Sequence, residues 1–461
     1  MSEKNKKNAD SLEVFRSAPV WQAVLKNAVP AMLAMLMALI YNLADTFFIG
    51  QTGDAYQVAA VSLAMPVFLF FMAFGTIFGI GGTSVISRAM GEGRKDYAKN
   101  VCSFCMWGCV AVGVAMAVLL IGFMNPLLNL IGASEGTEGF ARSYLTIVSL
   151  AGPFVLISNC YSNVVRAEGR STDAMMGQLI GNLLNVILDP IMILWLGWGI
   201  VGAAVATAIG NIVGACYYLL YFLRGNTILS IHPRDFTVRN GVCTGVLAIG
   251  IPAALGSIMM SISNIVVNAQ MAKYGDMALA GIGVAMKVIM LTGMMCIGFA
   301  HGVQPLLGYC VGAKNWDRYR KSLRMSIVFA FCLSLFMTIL CLLFTDQFVG
   351  AFLSDPEAVA YGVQFARILL STGFLFGVYY VLSNALQAMG AATAALITSL
   401  SRQGLIYIPA LFILQALLGI NGLVWAQPVA DVLSLILVIA LYFISMRRLT
   451  GGKNAAEHGG T

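Results

Sequence analysis

Long apolar runs, broken by short stretches of charged residues, Gly, Pro and Asn, recur along the whole chain. Twelve of them reach the roughly 20 residues a helix needs to cross a bilayer. They fall at about 24–50, 56–87, 100–123, 140–163, 173–195, 200–223, 244–271, 277–309, 324–345, 359–388, 393–416 and 422–446, and each predicts one transmembrane helix. The least distinct divisions are the turns around Gly197 and Gly199 and around Gly419 and Gly422. The expected fold is an all-α polytopic membrane protein.

Lys and Arg collect in the loops of one membrane face, the cytoplasmic one by the positive-inside rule. Counting the polar ends and alternate loops, 22 of the 27 basic residues fall on one side. Twelve spans with both termini cytoplasmic satisfy this distribution, in a plasma membrane. The net charge of +7 is then an orientation signal, and no nucleic-acid partner is expected. The amino-terminal stretch MSEKNKKNADSLEVFRS is polar and basic, so no signal peptide is expected.

The chain repeats itself at an offset near 221 residues. Val29-Pro30 answers Ile251-Pro252, Asn42 answers Asn264, Gly91 with Asp96 answers Gly312 with Asp317, and Asn163 with Gly169 answers Asn384 with Gly390. Six spans per copy place both copies in the same orientation, with their symmetry axis along the membrane normal, a plan transporters use with the substrate path between the halves. The domains predicted are a six-helix amino-terminal lobe (1–223), a cytoplasmic linker (224–243), a six-helix carboxy-terminal lobe (244–448) and a cytoplasmic tail (449–461).

Composition agrees. Charged residues make up 10% of the chain and apolar ones 59%, where a soluble domain carries roughly 25% charged residues. The 48 glycines suit close-packed membrane helices. Cys102, Cys105 and Cys109 lie at i, i+3 and i+7 on one helix face and read as small hydrophobes rather than a metal or redox motif.

Three of the 20 acidic residues fall well inside spans: Asp45, Asp189 and Asp431. An acid at a helix centre costs about 2.5–3.5 kcal/mol on insertion scales, which makes each a functional candidate. Asp45 in span 1 and Asp189 in span 5 share a depth near the outer face of the same half. Two like charges in one low-dielectric cavity disfavour joint ionisation, which suits a proton or sodium site. Asn185 lies one turn before Asp189, Pro190 follows it, and Tyr144 and Thr207 reach similar depths. The second half repeats neither acid, having Val267 and Ile408 near the matching positions. It carries Lys287, Arg402 and Asp431 instead, and Lys287 and Asp431 have the depth to form a buried charge pair. Asn42, Asn163, Gln304 and Asn384 are candidate lining residues of a substrate path.

Pro30 followed by Asn42-x-x-Asp45-x-x-Phe48-x-Gly50, the Arg88-x-x-Gly91 stretch, Asn185-x-x-x-Asp189-Pro190 and Gln304-Pro305-x-x-Gly308 resemble the multidrug and toxic compound extrusion (MATE) transporters, over essentially residues 15–448. The resemblance implies two pseudo-symmetric six-helix bundles in a V. It implies export of cationic or amphipathic small molecules by proton or sodium antiport, with no cofactor, from a monomer. Carried over, the family's amino-lobe cation site falls on Asp45, Tyr144, Asn185, Asp189 and Thr207, with sodium at Asp45 and Asp189 the metal it would admit. The acids that some members carry on the seventh and tenth helices are missing, since those spans offer Ser257, Ser261, Ser263, Ser383 and Asn384.

Other functions fit less well. A lipid-linked oligosaccharide flippase of the same superfamily would want several cations in its cavity. A membrane-embedded enzyme would need a catalytic cluster, and His232, His301 and His458 are scattered. An ATP-driven pump would need a phosphate loop, and the Gly308 to Lys314 stretch lacks its spacing.

Overall fold

The computed structural model describes residues 12–225 and 227–457, which form helices and connecting turns without a strand. Among the described residues, twelve helices are long and apolar enough to cross a membrane: α1 (Val20–Gly50), α2 (Tyr56–Gly91), α3 (Lys95–Gly122), α4 (Glu135–Glu168), α5 (Ser171–Trp195), α6 (Gly199–Leu223), α7 (Val242–Tyr274), α8 (Asp276–Gly312), α9 (Trp316–Leu343), α10 (Pro356–Ala388), α11 (Ala392–Leu418) and α12 (Ile420–Thr450). Much of each apolar run faces outward. Val118, Leu150, Leu343, Leu417 and Phe443 are all more than half exposed in the protein alone, as expected where lipid covers the surface.

Several helices outrun their apolar segments. α3, α4 and α9 begin before residues 100, 140 and 324, where hydropathy places their starts, because charged first turns project into water while remaining helical. The Asn315 side chain caps α9 by accepting from the Arg318 amide at 3.0 Å, and Asp355 caps α10 through the amides of Glu357 and Ala358. Between the predicted spans ending at 123 and 345 and those starting at 140 and 359, the chain forms the short helices Met124–Leu130 and Thr345–Phe352. At the indistinct turns, glycines supply the positive φ angles that close the connections: 68° and 53° at Gly197 and Gly199, and 62° at Gly419.

Within the first six helices, α4 packs against α2, α3 and α6, and α5 against α1 and α6. The last six repeat this plan, α10 packing against α8 and α9, and α11 against α7 and α12. The halves touch through α1–α8, α2–α7 and α2–α8. Close backbone approaches between them sit towards the basic-loop end: Gly302 on Asn27, Gly298 on Ala31 and Met32, Gly250 on Ile77, Gly81 on Val246, Gly91 on Tyr309 and Gly312 on Arg88. Towards the other end Leu43 and Phe47 of α1 and Met260, Ile262 and Ile265 of α7 are exposed. The bundles therefore form a V closed at the basic-loop end.

Two segments cross between the halves at that end. The short helix before α1 lies on the second half: Arg318 donates to the carbonyls of Phe15 (2.6 Å), Ala18 (2.8 Å) and Val14 (3.2 Å), and Phe15 packs on Tyr309. The linker before α7 lies on the first half. Its Ile228 and Leu229 amides and Thr227 hydroxyl all donate to the buried Glu168 carboxylate, Ser103 donates to the His232 carbonyl, and Phe236 stacks on Phe104.

Candidate functional site

Helical spacing sets the site in the first half. On α1, Tyr41 and Asp45 lie one turn apart. On α5, Gln178, Asn182, Asn185 and Asp189 form one stripe at i, i+4, i+7 and i+11. On α6, Thr207 and Asn211 flank Gly210. The stripes converge because α5 and α6 cross without side chains between them: a Cβ on Gly181 would lie 2.6 Å from the Gly210 carbonyl oxygen, and one on Gly210 would lie 2.7 Å from that of Gly181.

This crossing leaves a small cavity of about 20 Å³ lined by Tyr41, Ser158, Gln178, Asn182, Asn185, Thr207 and Asn211, space of the order one water occupies. At its outer end Asp45 and Asp189 are 8% and 0% exposed. The Tyr144 side chain of α4 is buried as well. Asn185 donates to the Thr207 hydroxyl at 3.3 Å, and Asn211 to the Thr207 carbonyl at 2.9 Å. The structure thus joins Asn185 to Thr207, sets Asp189 one turn beyond Asn185, buries Asp45 on α1, which packs on α5, and buries Tyr144 on α4. It adds Tyr41, Gln178, Asn182 and Asn211, which share helical stripes with Asp45, Asp189 or Thr207, and Ser158 of α4, for which the sequence held no signal.

Unmet demand is concentrated at this site. One oxygen of Asp45, both of Asp189 and the amide oxygen of Asn185 are buried without a hydrogen-bond partner among the described residues. Buried polar atoms almost always find partners. These four acceptors are satisfied by a proton on a carboxyl group, by water, or by a small cation with oxygen ligands. No group of three or more His, Cys, Asp or Glu side chains suited to a metal occurs among the described residues, so a sodium ion here would rely on Asn185, Thr207 and carbonyl oxygens besides the two carboxylates.

The second half is built differently, and the sequence expectation of a Lys287–Asp431 pair is corrected. Lys287 is exposed, its ammonium 5.3 Å from the centre of the Phe352 ring. Asp431 pairs instead with Arg402, whose Nε donates to Oδ1 at 2.9 Å, both side chains being at least 92% buried. Depth along a helix does not fix azimuth, and Lys287 points away from the bundle. Gln427 and Thr372 complete the Asp431 shell, while Tyr380 accepts from Arg402 Nη1 at 2.6 Å.

The candidate path residues do not gather in one place. Asn42 is half-buried and donates to the Ala38 carbonyl on its own helix. Asn163 accepts from Arg166, Gln304 donates to Gln387, and Asn384 donates to the Tyr380 carbonyl. The last three lie near the closed end, away from the acids.

Comparison with known proteins bears on the family and the fold. The MatE family model matches twice, over residues 30–191 and 252–413, so the repeat is one unit present in both halves. Multidrug export protein MepA of Staphylococcus aureus is 32% identical over 448 residues, covering 96% of this chain and 97% of that protein. MepA of Staphylococcus saprophyticus is 30% identical over 448 residues, covering 96% of this chain and 98% of that one. An outward-facing structure of a multidrug resistance MATE family transporter superposes with a TM-score of 0.89 at 24% identity, covering 96% and 99% of the two chains. At that identity the likeness concerns the fold.

Proposed function

Because the chain belongs to the MatE family, the MATE transporters, we propose that it is a secondary active multidrug exporter. It carries cationic or amphipathic small molecules out of the cell by proton or sodium antiport with alternating access. It works as a monomer in the plasma membrane, with both termini in the cytoplasm.

The observation that carries this reading is the pair Asp45 and Asp189, buried with three unpartnered carboxylate oxygens. Burying charge without compensation is expensive, so the pair retains a cation when closed off and binds one from the outer solution. With the basic loops cytoplasmic, a V closed at that end faces outward. Taking up a cation removes the repulsion between α1 and α5, and α1 then bends in its outer half, weakening the hold of the amino lobe on substrate in the cleft between the lobes. Rocking of the lobes next opens the other face, where the cation leaves. A cation shifts this equilibrium only through its different affinity for the two states, and the orphaned oxygens supply that difference.

The test is transport by purified protein in liposomes, with a proton gradient and a sodium gradient imposed separately. Export of a cationic dye should follow one of them. Dye movement that ignores both would refute antiport.

A further inference from the structure

The Arg402 guanidinium is enclosed by aromatic rings. Its carbon lies 4.7 Å from the ring centre of Phe376, 4.9 Å from that of Tyr379 and 5.0 Å from that of Tyr380, and Asp431 holds its Nε. Three π faces and one carboxylate are the chemistry that recognises organic cations. Arg402 stands as far along α11 as Gly181 stands along α5, and Asp431 as far along α12 as Gly210 along α6. Where two glycines leave a polar cavity in the amino lobe, a side chain fills the carboxyl lobe. Arg402 also lies in a π-helical turn, Ser401–Leu405, a local irregularity frequent at functional sites.

We propose that Phe376, Tyr379, Tyr380 and Asp431 form a second organic-cation site, occupied permanently by the protein's own Arg402, so that Arg402 confines cationic ligands to the amino lobe. Guanidinium and quaternary ammonium ions are the ligand class. Asp431 has its cation in place, hydrogen-bonded and held by three rings, whereas Asp45 and Asp189 have unpaired oxygens. A free cation must displace a tethered one to enter the carboxyl lobe, and a tethered group has the higher effective concentration. Arg402 is therefore a determinant of specificity. This consequence for substrates rests on the proposed export of organic cations, while the cage itself does not.

The experiment measures binding, not transport. Purified full-length protein carrying Asp45→Asn and Asp189→Asn, which silences the amino-lobe acids, is compared with the same protein carrying Arg402→Ala in addition. The probes are tetramethylammonium, which offers only cation–π and charge attraction, and guanidinium at millimolar concentration. Thermal unfolding should rise with either probe only when Arg402 is removed, and adding Asp431→Asn should abolish the rise. Rescue by guanidinium alone would mean a hydrogen-bonded structural pair and overturn the site. An Asp431-dependent response with Arg402 in place would overturn the occlusion. If Arg402→Ala gives no folded protein, Arg402→Gln is read in the same way. Failure of both to fold with guanidinium present throughout purification also overturns the proposal, since a cage open to free cations would be restored by them. Loss of the wild-type response on replacing Asp45 and Asp189 is a separate arm, which bears on the amino-lobe reading alone.

Discussion

Gly312 of α8 packs directly on the backbone carbonyl of Arg88 in α2, and its repeat partner Gly91 packs in the same way on the carbonyl of Tyr309. These reciprocal contacts across the pseudo-twofold axis exist only because neither glycine has a side chain. Gly312→Leu should overpack the closed end, where such insertions cost about 1–3 kcal/mol, and shift the population towards the arrangement open at the basic-loop face. A cysteine replacing Ser84, which is buried one turn from Arg88 and donates to the Gln387 carbonyl of the other half, should then react faster with a maleimide supplied from that face. Unchanged labelling would show that the contact does not set the closed state.

The fold was legible because its determinants are coarse. Twelve apolar runs and a repeat need only composition and spacing, and Asp45 and Asp189 stand out because acids in spans are rare. What failed needed azimuth. Lys287 and Asp431 share a depth, but Lys287 faces outward and Arg402, on a different helix, reaches Asp431. Gln178, Asn182 and Asn211 escaped notice because neutral amides do not stand out among the ordinary polar residues of membrane helices, and only their spacing from Asp189 or Thr207 marks them. The helices at Met124–Leu130 and Thr345–Phe352 are too short to register in hydropathy.

The orientation follows from charge alone and can be tested by labelling. In a cysteine-free background, cysteines placed in 125–138 and 346–357 should react with an impermeant maleimide on intact cells. Cysteines at Lys95 or Trp316 should react only after permeabilisation. The reverse pattern would invert the topology and, with it, the outward-facing assignment.

Glu168 fixes the linker to the first half. Its carboxylate is 1% exposed and accepts from Thr227, Ile228, Leu229 and Tyr221 at 2.6–3.2 Å. Hydrogen bonds to a charged group contribute about 1.5–3 kcal/mol each. Glu168→Ala should therefore lower the unfolding temperature and speed hydrogen exchange at the amides of Ile228 and Leu229. Exchange as slow as in the wild type would mean that the linker is held without it by Ser103, by Phe104 and by Trp107, whose indole donates to the Ile231 carbonyl at 3.2 Å.

The Arg402–Asp431 pair should behave as buried ion pairs do. Removing one partner strands the other charge and costs about 3–5 kcal/mol, whereas replacing both with apolar residues of similar volume is often neutral. Asp431→Asn should thus lower stability, and Asp431→Leu with Arg402→Met should recover much of it. Changing Lys287 together with Asp431 should recover nothing, because the two do not touch. Equal losses from the single and double replacements at 402 and 431 would show that the hydrogen bonds to Gln427, Thr372 and Tyr380, rather than the charges, hold the site.

Asp45 and Asp189 differ from that pair in having no cation of their own. If their role were structural, the protein would gain by satisfying their oxygens internally, as it does for Asp431; leaving them unmet costs stability that only a function returns. Asp45→Asn and Asp189→Asn each keep the side-chain shape while removing the charge that a proton or sodium would neutralise. Both variants should insert and fold, and their thermal stability should equal or exceed that of the wild type, since a buried charge is gone. Gradient-driven export should nevertheless fall to the level of empty liposomes, because the cation no longer distinguishes the two states. The double variant decides the matter: wild-type export by it, at equal reconstitution and under the same gradient, would remove these two carboxylates from the coupling mechanism.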